Sequence, residues 1–132
     1  MANTTGPLPF GAVCGNAGRD GAMRGGWFLG HFLPPADPRA SEAVEVKWGV
    51  HRAGDCRAAW AVNHQATSLS VLVRGRFRLY LPTAEVLLAQ PGDYLLWPPG
   101  VPHHWRAEED TVVLTVRWPS RPADSQPASR PS

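Results

Sequence analysis

The sequence predicts an all-β fold, and three observations predict it. Short apolar-rich runs with strand-like alternation recur along the chain. Clusters of Gly, Pro, Asp and Asn separate them. No segment of ten or more residues carries a convincing helical period. At 132 residues, with 43% hydrophobic and 18% charged residues, the chain is long enough and apolar enough for one domain with a buried core.

In chain order, residues 1–26 are rich in Gly, Ala and Asn with little periodic hydrophobicity, and read as a flexible leader. WFLGHFL (27–33) reads as a strand stopped by Pro34 and Pro35, with one short helical turn expected near Asp37 to Glu42. AVEVKWGVH (43–51) alternates: Val44, Val46, Trp48 and Val50 share one face, Glu45, Lys47 and His51 the other. Further strands are expected over 57–65, 67–75, 76–81, 85–90, 92–97 and 111–118. In PGDYLLWPPGVPHHW (91–105), Pro98, Pro99 and Gly100 cannot continue a central strand, so the chain turns there and His103 and His104 enter the next one. Asp93 is expected to hold its turn through an Asx-type hydrogen bond. Residues 119–132, PSRPADSQPASRPS, carry almost no apolar mass and read as a disordered tail, which leaves 27–118 as the barrel domain.

Composition excludes several function classes. Thirteen basic and eleven acidic residues give a formal charge of +2, without the dense basic patch of a nucleic-acid surface. No run approaches the roughly 18 apolar residues of a membrane helix. MANTTGPLPFGAV has neither a basic start nor an apolar stretch, so a cytoplasmic protein is expected, with Cys14 and Cys56 as free thiols. Arginine outnumbers lysine so strongly that Lys47 is the only lysine, a bias that suggests a GC-rich bacterial genome.

Gly92, Pro98, Gly100 and His103 stand at the spacings G-x5-P-x-G-x2-H, and the sequence here resembles the second motif of the cupins, with Ala107 where that motif ends in Asn. The first cupin motif, G-x5-H-x-H-x3,4-E-x6-G, is matched thinly. Anchored on Gly75 it puts Ser68 at the acidic position and Val62 and His64 at the histidine positions. The resemblance implies a double-stranded β-helix, or jelly-roll barrel, and a homodimer. It also implies one divalent metal ion, Fe, Mn, Ni or Zn, on His64 and His103, with His51 as a further candidate if its strand face lines the cavity.

If His64 points inward, strand alternation turns Val62 and Trp60 inward too, and Trp105 follows His103. The expected cavity then presents Trp60, Val62, Ser68, Ser70 and Trp105 to a small molecule, with His64 and His103 as the groups able to move a proton. Three functions remain open at this point: a small-molecule binder without strong metal dependence, acting as a sensor, carrier or auxiliary factor on a hydrophobic or aromatic ligand; a metal-dependent dioxygenase or isomerase/epimerase with an abbreviated ligand set; and a metal-free acid/base enzyme. Ser68 in place of Glu weighs against the metal, because it removes the one anionic ligand.

Overall fold

The computed structural model describes residues 3–129. Ten strands form: β1 (Trp27–Leu29), β2 (Glu45–His51), β3 (Cys56–Asn63), β4 (Thr67–Arg74), β5 (Phe77–Leu81), β6 (Ala84–Leu88), β7 (Tyr94–Trp97), β8 (His103–Ala107), β9 (Thr111–Trp118) and β10 (Ser125–Pro127). They make two five-stranded sheets, ordered β1-β2-β9-β4-β7 and β10-β3-β8-β5-β6, in which every pairing is antiparallel. This is the all-β architecture that the turn spacing predicts and the jelly-roll that the cupin resemblance implies.

The corners depend on backbone chemistry. Gly75, between β4 and β5, has φ +100°, and a Cβ there would collide with the Asp110 carbonyl and the Thr111 hydroxyl. Asp93 accepts from the Ala89 and Gln90 N–H groups at 3.0 and 2.9 Å, so its side chain closes the turn that precedes it rather than making the forward Asx-type bond. At the Pro-Pro-Gly corner, Gly100 donates its N–H to the Asn63 carbonyl at 2.8 Å, which fixes the start of β8 against the end of β3. Leu72, Phe77, Leu79, Leu88, Trp97 and Val113 close one end of the space between the sheets as a buried core.

Three expectations change. Residues 37–42 form turns rather than a helical turn, because Asp37 accepts from the Arg39 N–H at 2.9 Å and pairs with its guanidinium, holding the segment in a local loop. The leader is ordered at its inner end: α1 (Ala17–Asp20), capped by Asn16, leads to a 3₁₀ turn (Ala22–Arg24). Gly26 then accepts from the Trp48 N–H at 2.9 Å, and Gly18 packs against the Trp48 ring. Backbone groups and glycines make this contact, so no apolar period announces it.

The third change is in the tail. Residues 119–129 continue the fold, with β10 paired to β3, while 130–132 lie outside the described residues. Buried Asp124 accepts from the Gln65 and Ala66 N–H groups and from Asn63 Nδ2, at 2.7, 3.2 and 3.1 Å. Fully buried Ser120 donates to Glu45 at 2.7 Å and sits 2.6 Å from His31 Nδ1. Polar anchors, not apolar mass, hold this segment.

Candidate functional site

A cavity of about 470 Å³ opens between the two sheets. On β2, alternation turns Lys47, Gly49 and His51 into it, and on β9 it turns Thr115 and Arg117 inward. The facing sheet supplies Arg57 from β3 and His103 and Trp105 from β8. Trp27, Phe77 and Trp97 complete the aromatic wall. The Arg117 guanidinium lies 4.7 Å and Lys47 Nζ 5.9 Å from the Trp27 ring centroid. Among the described residues no acidic side chain lines the cavity; Glu45, 3.7 Å from Arg117, belongs to an adjoining cavity of about 310 Å³ that shares Trp27, Arg117 and Ser125 with the first.

Burial sets the protonation states. Desolvation, reinforced by Arg117 and Arg57, pushes the Lys47 ammonium down to about 8. His51, packed 4.4 Å from the Trp105 ring and 5.5 Å from Phe77, is lowered by desolvation and then by Lys47. His103 is pushed down to about 4, chiefly by desolvation. Its Nδ1 lies 3.0 Å from the Val101 carbonyl, which can only accept, so Nδ1 carries the hydrogen and Nε2 presents a lone pair. That Nε2 is buried with no partner among the described residues, as are Trp97 Nε1 and Ser68 Oγ. The Trp97 and His103 rings are 4.9 Å apart.

Of the residues singled out from sequence, His51, Ser70, His103 and Trp105 meet in the cavity. Ser68 is fully buried opposite Trp97 on β7. The other three do not join them. His64 is exposed in the turn after β3, its backbone N–H donated to the Asp124 carbonyl. Trp60 meets His104 edge-on at 4.5 Å on the outer face, where His104 also stacks on Tyr80. Val62, on the same face, pairs with Gln126.

The reason is a register choice. The first motif allows three or four residues before its acidic position, and the structure takes the longer spacing, so Ala61 and Asn63 are the buried, inward pair. Arg57 has the same parity as Ala61 and Asn63 and faces inward opposite Trp105, a parity that the irregularity between Arg57 and Ala61 preserves. Sequence reasoning missed Arg57, Arg117, Trp27 and Trp97 as lining residues. The available signal was the TVRW segment, whose apolar positions face outward and whose Thr115 and Arg117 face the interior.

The donor set does not fit the metal that the resemblance implies. The four ligand positions hold Ala61, Asn63, Ser68 and His103, and no group of three His, Cys, Asp or Glu side chains suited to a metal ion occurs among the described residues. Lys47, Arg57 and Arg117 would also repel a dication.

No family model matches the sequence, and no curated protein matches it. Solved structures do. A conserved protein with a double-stranded β-helix domain from Klebsiella pneumoniae is 17% identical, with TM-score 0.59 over 67% of this chain and 77% of that one. A cupin protein from Bacteroides fragilis is 19% identical, with TM-score 0.53 over 58% and 66%. A salicylate 1,2-dioxygenase from Pseudoaminobacter salicylatoxidans, solved with gentisate, is 17% identical, with TM-score 0.54 over 64% of this chain and 24% of that one. Among the described residues no helix is long and apolar enough to cross a membrane. The likeness is one of fold, and with two facing antiparallel sheets around a side-chain-lined cavity this chain is a double-stranded β-helix of the cupin type.

Proposed function

We propose that the protein binds a small aromatic carboxylate in its barrel cavity. The observation that carries this reading is the lining itself: Lys47, Arg57 and Arg117 with no acidic side chain, between aromatic walls. Charged groups facing a half-dry cavity interact more strongly with an anion than they would in water, and indole faces accept an aromatic ring. His103 Nε2 adds an acceptor for a hydroxyl or N–H group on the ligand. The salicylate dioxygenase neighbour, solved with gentisate, makes hydroxylated aromatic acids the first class to try.

Tryptophan fluorescence titrated with salicylate and with its neutral amide tests the reading. Saturable quenching by the acid, weakened about 10-fold in Arg57→Met, is expected. Equal affinity for the amide would sink it. The same reading covers the partners: small molecule in the cavity, a second copy of the chain on the outer face of the β1-β2-β9-β4-β7 sheet.

A further inference from the structure

Lys47 is the chain's only lysine, and its amine lies inside the cavity rather than on the surface. No carboxylate of the described residues comes within ion-pair distance of it, and its charged neighbours are Arg57 and Arg117. Gly49 follows on the same inward face and has no room for a side chain. A Cβ placed there would sit 3.6 Å from Lys47 Cε and 3.0 Å from His51 Nε2, so amine and imidazole border one space. An ammonium ion serving only to attract anions would do better hydrated, as surface lysines are. An amine held among cations in a desolvated pocket is instead arranged as a nucleophile.

We propose that Lys47 captures the carbonyl carbon of an aldehyde or ketone that also carries a carboxylate, forming an imine. The proposal rests on the anion-binding reading above, because Arg57 and Arg117 would hold the carboxylate while the carbonyl meets the amine. The neutral amine donates its lone pair to the carbonyl carbon; a C–N bond forms and the C=O π pair moves to oxygen. One nitrogen proton passes to that oxygen, giving a carbinolamine. The nitrogen lone pair then closes the C=N bond as the C–O bond breaks, and neutral His51 takes the remaining nitrogen proton and relays it to the departing hydroxide, which leaves as water. Amine and carbonyl become imine and water, with no oxidant or reductant. The low proton affinity of Lys47, about 8, leaves a useful neutral fraction near neutral pH.

The full chain would be treated with 4-carboxybenzaldehyde and cyanoborohydride, which fixes an imine as a secondary amine, and adducts would be located by peptide mass spectrometry. Labelling of the Lys47 peptide at least about 10-fold faster than of free Nα-acetyl-lysine is expected, with benzaldehyde slower and 4-methylbenzoate protecting. Lys47→Arg keeps the positive charge and should lose the adduct with an unchanged circular dichroism spectrum. Adducts confined to the N-terminal amine, with 4-methylbenzoate still quenching, would overturn the imine and leave the anion site standing. Equal labelling by benzaldehyde with no protection or quenching by 4-methylbenzoate would overturn the anion reading itself.

Discussion

His103 shows most directly what burial does to one side chain in this cavity. Its imidazole is neutral down to about pH 4, because desolvation disfavours the cation more than the Val101 carbonyl supports it. In the unfolded chain the same group takes a proton near pH 6.5. The lowered folded value means that its contribution to stability is complete above pH 6.5. It is lost as the pH falls toward 4, by about 3 kcal/mol. Urea midpoints measured from pH 7 to pH 4.5 should therefore fall more steeply for the native protein than for His103→Gln, which has no proton to take up. Parallel curves would mean that His103 is not buried as neutral imidazole. The same residue tests the donor argument: purified without a metal-binding tag, the protein should carry well below one metal equivalent per chain by plasma mass spectrometry, unchanged in His103→Gln. Near one equivalent, lost in the variant, would restore the metal enzyme.

At the scale of elements, one carboxylate, that of Asp124, anchors the start of β10 beside its ladder with β3. Asp124→Ala removes the acceptor for two backbone N–H groups and the Asn63 amide, and it should cost about 2–4 kcal/mol by urea unfolding. A loss below about 0.5 kcal/mol would mean that the strand pairing alone holds the segment. This element also marks where the sequence stopped being readable. Strands from β2 to β9 were legible because alternation and turn residues are local, as was His103, placed by Pro98 and Gly100. The tail was not, since its composition lacks apolar mass and its anchors, Ser120 and Asp124, bond to residues far away in the chain. His64, Val62 and Trp60 were misplaced for a related reason: a one-residue choice of spacing before Ser68 reverses every inward and outward position on β3.

For the whole molecule, the sheet containing β2, β9, β4 and β7 is in part inside out by ordinary patterning. Lys47, Ser70, Thr115 and Arg117 face the cavity beside the inward core residues Leu72, Trp97 and Val113, and further apolar residues form two cross-strand rows on the outside. One row runs Val46, Val116, Leu69 and Leu96; the other Trp48, Leu114, Val71 and Tyr94. Val50, Tyr94 and Leu96 are 64%, 65% and 50% exposed in the single chain. A sheet face of this kind is costly to leave in water, and a second copy presenting the same rows about a two-fold axis would cover it. Static light scattering after size exclusion should give twice the 14.3 kDa chain mass. Leu96→Lys, on an exposed position of an outer strand, should shift the protein to monomer without unfolding it, because Leu96 lies outside the buried core. A monomeric native protein would leave the apolar rows without their proposed cover. A Leu96→Lys dimer as stable as the native one would move the contact elsewhere. The cavity lies on the opposite side of the sheet, so a monomeric variant that still binds salicylate would separate assembly from ligand binding.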